Sequence, residues 1–189
     1  MTAAKTGKDG QARYDHKALC LLPDRMLEDL FRRGTPPERG SIVGWEFDGY
    51  NTGTLAFAIR KFRKGYYEEP AYDKDEFGGY NVNIKQSRMD QPWVAVLKKS
   101  GEPQRHSFFR VYSVRGSEPD NYYPNALLLN YHSPKTPAWN PASRLRDYLV
   151  QVYPDNPDLL LGKAYAALPG GKRLFVSFFV LQRACKGIS

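Results

Sequence analysis

The feature that most constrains this chain is a repeated alternation of apolar and polar residues at a period of two. Over Ser41–Asp48 it places Val43, Trp45 and Phe47 on one face, and over Thr54–Phe62 it does the same for Leu55, Phe57 and Ile59. Over Tyr80–Gln86 it sets Tyr80, Val82 and Ile84 against Asn81, Asn83 and Lys85. The pattern continues through Trp93–Lys98, Ser107–Val114, Ala126–His132, Leu160–Leu168 and Arg173–Arg183. Side chains of a strand point alternately to its two faces, so each segment reads as β. β-Branched and aromatic residues dominate, and turn residues mark most joints: Asp48-Gly49, Gly78-Gly79, Ser100-Gly101, Gly116-Ser117 and Pro169-Gly170-Gly171. Eight sequential strands with mostly short joints predict a mainly β fold, an antiparallel up-and-down meander. Closing it into an eight-stranded barrel removes both exposed edges.

Two segments switch to a helical period. Leu22, Met26, Leu27, Leu30 and Phe31 form one stripe, with Pro23 suited to a first turn, Arg32 and Arg33 at the end and Gly34 as the stop. After the sixth strand, Asn140 can cap a helix and Pro141 fits its first position, with Leu145, Tyr148, Leu149 and Val152 lining one side and Pro154 ending it. That helix is expected before the last two strands, across one mouth of the barrel. Residues 1–17 are polar and aperiodic, which predicts a flexible tail ahead of a single domain over 18–189.

The chain has 189 residues, close to one domain on the usual scale of roughly 100–200. Its longest apolar runs, such as Leu127–Leu129 and Phe178–Leu181, fall far short of the ~20 residues of a membrane helix. No apolar stretch near the N-terminus resembles a secretory signal, so a cytoplasmic location is expected. The net charge of +8 is spread among acids; the densest cluster, Arg60–Lys64, is followed by Glu68, Glu69, Asp73, Asp75 and Glu76. Such interspersion reads as solvated surface, and nucleic acid is not the expected partner. Cys20 and Cys185 are expected as free thiols. Three histidines, with no metal-binding, nucleophile-elbow or phosphate-loop motif, give no reason to expect a metal or cofactor.

Gly44-Trp45 on the first strand, after a short helix, and Arg183 at the end of the last resemble the calycin pattern of lipocalins and fatty-acid-binding proteins. The resemblance implies that Trp45 packs beside Arg183 and closes one end of the barrel, and that the barrel binds a small apolar molecule. The glycine–tryptophan spacing is contracted relative to the family, and the helix before the last two strands departs from its arrangement.

A barrel of eight strands has an interior just large enough for side chains or one small ligand. The expected ligand is a small hydrophobic molecule, with or without a carboxylate. Arg110 is the candidate anion clamp, because a guanidinium fork matches a carboxylate. Phe57, Tyr80, Trp93, Phe108, Tyr112 and Phe178 are the candidate apolar contacts. An enzyme of the cyclase or isomerase type, acting on such a molecule in the same cavity, would use Tyr112 or His132 for proton transfer. By strand parity Arg110 and Tyr112 share a face, whereas only one of Tyr131 and His132 can face a cavity. A third reading is a packed barrel that binds a protein partner or a second copy of itself.

Overall fold

The computed structural model describes residues 5–6, 12–53, 59–114 and 120–188. Three short helices precede the barrel: α1 (His16–Cys20), α2 (Asp24–Arg33) and α3 (Arg39–Ile42). Asp15 caps α1 by accepting from the Ala18 amide at 2.8 Å. Of the expected tail, residues 1–4 and 7–11 lie outside the described residues, and Lys5–Thr6 pair with Ala12–Arg13 in a two-rung antiparallel ladder. No helix among the described residues is long and apolar enough to cross a membrane.

The barrel strands are β1 (Trp45–Asn51), β2 (Lys61–Tyr67), β3 (Phe77–Asn83), β4 (Arg105–Ser113), β5 (Leu127–Asn130), β6 (Leu145–Gln151), β7 (Leu159–Ala167) and β8 (Arg173–Lys186). Each pairs antiparallel with the next, and β8 returns to β1 with Val180 opposite Tyr50, so the sheet closes.

Four expectations are corrected by the structure. The helix expected from Asn140 to Val152 is absent. The cap and proline are there, but they open a single 3-10 turn, Pro141–Arg144, after which the chain enters β6. The reason is that β6 is buried on both faces, Asp147 and Leu149 inward and Tyr148 and Val150 under the helices, and such a strand has no clean alternation. Conversely, Trp93–Lys98 is not a barrel strand. It makes isolated bridges, Ile84 to Ala95 and Leu97 to Pro103, within the β3–β4 connection. The strand expected over Thr54–Phe62 is β2, which starts only at Lys61; residues 54–58 lie outside the described residues. Asp48-Gly49 and Gly78-Gly79 sit within β1 and β3 rather than at turns.

The strands separate two apolar layers. On the outer wall of β5–β8, Leu27 and Phe31 of α2 pack against Tyr148, Val150, Leu161 and Phe178. Inside, one half of the lumen is filled by Phe47, Tyr66, Phe77, Val111, Leu160 and Leu181, all buried. That half ends at the expected pairing. The Arg183 guanidinium lies 4.5 Å from the Trp45 ring centroid and 5.1 Å from that of Phe47. It also donates to the Ser41 carbonyl at 2.7 Å and pairs with Asp158. A cation stacked on indole with its N–H groups satisfied seals this end of the tube.

Candidate functional site

The other half of the lumen is hollow. A cavity of about 450 Å³ opens at the end of the barrel opposite Trp45 and Arg183. Its walls come from Phe62, Leu145, Ala164, Val176 and Phe179, and its polar lining includes Asn81, Lys64, Tyr131 and Asp147.

Cross-strand glycines explain why so many rings leave a space. Phe62 pairs with Gly49, Phe109 with Gly79 and Phe179 with Gly162. A Cβ on any of the three glycines would lie 2.0–2.4 Å from the facing ring. The rings therefore lie flat over their glycine partners along the wall instead of projecting across the lumen. A side chain on the partner would push each ring inward and close the void.

The three rings surround a lysine. Lys64 Nζ is 5.3 Å from the Phe62 centroid, 4.9 Å from Phe109 and 5.1 Å from both Phe179 and Tyr131. Lys64 enters the lumen because it occupies the in-phase position between Phe62 and Tyr66 on β2. It is 3% exposed, as is Asp147, and Tyr131 is 1% exposed. The hydrogen bonds form a closed set. Lys64 Nζ donates to Asp147 Oδ2 and to Asn81 Oδ1, each at 3.1 Å, and to the Tyr131 hydroxyl. Tyr131 in turn donates to Asp147 Oδ2 at 3.2 Å and accepts from Asn81 Nδ2 at 3.2 Å. All three ammonium protons are used, and the one buried acceptor of this group left without a partner is Asp147 Oδ1.

Burial dominates the electrostatics. Loss of solvent pushes Lys64 below the ordinary lysine value, against the opposing pull of Asp147, and pushes Asp147 above the ordinary carboxyl value, against the pull of Lys64. Burial thus acts on both partners in the direction that favours their neutral forms, while their mutual attraction favours the ion pair. Burial also holds the Tyr131 phenol well above its usual range, so it stays protonated as donor.

The residues singled out from sequence lie elsewhere. Arg110 is on the outer wall, gripped bidentately by Glu76 with Nε to Oε2 at 2.9 Å and an NH2 to Oε1 at 2.5 Å. Its neighbour Tyr112 accepts from Asn130 Nδ2 at 3.0 Å and packs against the outer layer. Tyr80, Trp93 and Phe108 come together, but in an outer cluster on β3 and β4; the Tyr80 hydroxyl donates to Glu46 and the Trp93 indole to the Gly49 carbonyl. Phe178 packs under α2, 6.4 Å from Phe31. His132 is exposed, and Phe57 lies outside the described residues. None of the seven described residues lines the cavity. Of the pair separated by parity, Tyr131 is the one that faces inward. Lys64 and Asp147 do not stand out in the sequence as site residues, the first because it belongs to the Arg60–Lys64 basic cluster and the second because it lies in the segment with a helical period. The signal for Lys64 was present: a lysine in phase with Phe62 and Tyr66 on an apolar strand face.

No protein-family model matches this chain, and no curated protein matches it. Among the solved structures similar to it are two apocrustacyanins. One is apocrustacyanin C2, at 12% identity over 86% of this chain and 71% of that one, with a TM-score of 0.40. The other is apocrustacyanin C1, at 12% identity over the same shares, with a TM-score of 0.38.

Proposed function

We propose that this protein binds a small, largely apolar molecule inside the open half of its barrel, with a neutral polar end at the floor formed by Lys64, Tyr131 and Asp147. The observation that carries this reading is the cavity of about 450 Å³ with apolar walls and a small polar floor. Its volume lies within the ~300–1,000 Å³ of small-molecule sites, and apolar walls with few convergent polar groups are their usual chemistry. At Lys64 a neutral end is preferred to a carboxylate because Asp147 already balances that charge at 3.1 Å, while Lys61, also on the cavity lining, donates to Ser87 and the Gln91 carbonyl. A second carboxylate would leave an uncompensated charge in a desolvated site.

The test is a fluorescence titration with the neutral apolar dye N-phenyl-1-naphthylamine. Saturable binding at one site is expected for the natural chain, and its loss for Ala164→Trp, which fills the space from the β7 wall. Unchanged dye affinity in a folded Ala164→Trp protein would remove the lumen as the binding site.

A further inference from the structure

The arrangement around Lys64 does more than anchor a polar end. We infer that Lys64 forms an imine with an aldehyde ligand held in the cavity, with Asp147 as the counter-ion and Tyr131 as the proton relay. This rests on the reading of the cavity as a small-molecule site and names the class of ligand.

Four observations converge on it. Lys64 is among the residues that line the cavity, on the same floor as Tyr131 and Asp147. Four aromatic rings stand 4.9–5.3 Å from that nitrogen, which favours a cation there and keeps bulk water away. Asp147 lies at 3.1 Å and is joined to the same nitrogen a second time through Tyr131. Asp147 Oδ1 has no hydrogen-bond partner, so one acceptor remains free to handle a further proton. As a purely structural element the pair is a poor choice, since a well-packed apolar replacement of a buried ion pair is often as stable or more so.

The chemistry balances without an outside reagent. The ammonium proton of Lys64 passes to Asp147, leaving a neutral amine. The amine lone pair forms the N–C bond while the C=O π pair moves onto oxygen, and proton exchange through Tyr131 gives the neutral carbinolamine. Asp147 then returns its proton to the carbinolamine hydroxyl, the C–O bond breaks, and water leaves through the mouth as the nitrogen lone pair closes the C=N bond. The product is a protonated imine beside the Asp147 carboxylate, with no change of oxidation state. Burial lowers the amine's basicity against the opposing pull of Asp147, the direction that favours release of its proton.

The experiment uses the full chain and trans-cinnamaldehyde, with borohydride to trap any imine and peptide mapping to locate it. Lys64 is expected to carry the reduced adduct ahead of every other lysine, and Lys64→Arg to lose it. Before reduction, the bound aldehyde is expected to absorb to the red of the free compound, as a protonated imine does. Asp147→Asn should move that band back to the blue, a change that a merely structural role would not produce. Cinnamyl alcohol, which cannot form an imine, separates the two readings. If the alcohol displaces N-phenyl-1-naphthylamine but the aldehyde leaves Lys64 unmodified, the imine is overturned and the cavity stands. If neither compound displaces the dye and Lys64 stays unmodified, both fail.

Discussion

The two halves of the barrel lumen are built from the same strands and differ in what faces inward. In the closed half, Phe47, Tyr66 and Phe77 meet edge to face, with centroids 5.8 Å apart for Phe47 and Tyr66 and 6.4 Å for Tyr66 and Phe77. In the open half the rings of Phe62 and Phe179 lie over Gly49 and Gly162, and Ala164 and Asn81 face the space they leave. Ring count alone therefore says little about whether a barrel is full. What decides is the partner across the strand pair, because a glycine lets a ring lie on the wall.

The largest expected effect belongs to the closed half. Phe47→Ala should cost about 3–5 kcal/mol in urea unfolding, since a fully buried ring leaves a void its neighbours cannot fill. Affinity for N-phenyl-1-naphthylamine should hardly change. A mutant that loses dye binding while staying folded would show the halves to be one unit.

At the boundary between the halves, Asp147→Ala strands the Lys64 cation without its carboxylate and should cost about 3 kcal/mol. The double replacement Lys64→Met with Asp147→Leu should recover most of that loss, and a failure to recover would mean that the pair holds the barrel together.

The sharpest contrast is along β7, where Gly162 and Ala164 both face inward two residues apart. Gly162→Ala puts a Cβ about 2.0 Å from the Phe179 ring and should cost in the range of about 1–3 kcal/mol. Ala164→Val faces the cavity and should cost less than about 1 kcal/mol. Thermal melts of the two proteins read the difference, and equal losses would indicate that Ala164 borders packed side chains rather than free space.

The smallest effect lies outside the lumen. His16, edge-on to Trp93 at 5.8 Å, has its imidazole pKa lowered by burial from the ordinary 6.5. Below pH 6.5 the unfolded chain takes up this proton first, so stability falls as pH drops toward the lowered folded value. His16→Gln should flatten that part of the melting-temperature profile, and an unchanged slope would assign it to other groups.

Much of the barrel was legible in the sequence, most plainly where the two faces of a strand differ in polarity, as Tyr80 and Val82 do from Asn81 and Asn83. Tyr80–Asn83, Ser107–Ser113 and Leu160–Ala167 all fall within β3, β4 and β7. β6 was illegible for the opposite reason: Tyr148 and Val150 serve the outer layer while Leu149 serves the lumen, and the two sets together mimic a helical stripe. That omission and the extra strand at Trp93–Lys98 offset each other, so the count of eight survived with one member exchanged. The site was harder. Aromatic residues in alternating strands suggest a ligand lining, yet Tyr80, Trp93, Phe108 and Phe178 serve the outer wall. Which face of a closed sheet is the inside depends on how α1, α2 and the β3–β4 connection cover the other, and alternation by itself is symmetrical between the two.

The central claim is that the two halves of the lumen differ in occupancy, one filled by the chain and the other held open for a guest. NMR spectra recorded during titration with N-phenyl-1-naphthylamine test it most directly. The account predicts saturable shifts at Leu145, Ala164 and Val176 around the cavity, with Leu127, Leu149 and Leu160 of the closed half nearly silent. Shifts centred on the outer cluster of Tyr80, Trp93 and Phe108, or none at saturating dye, would contradict it.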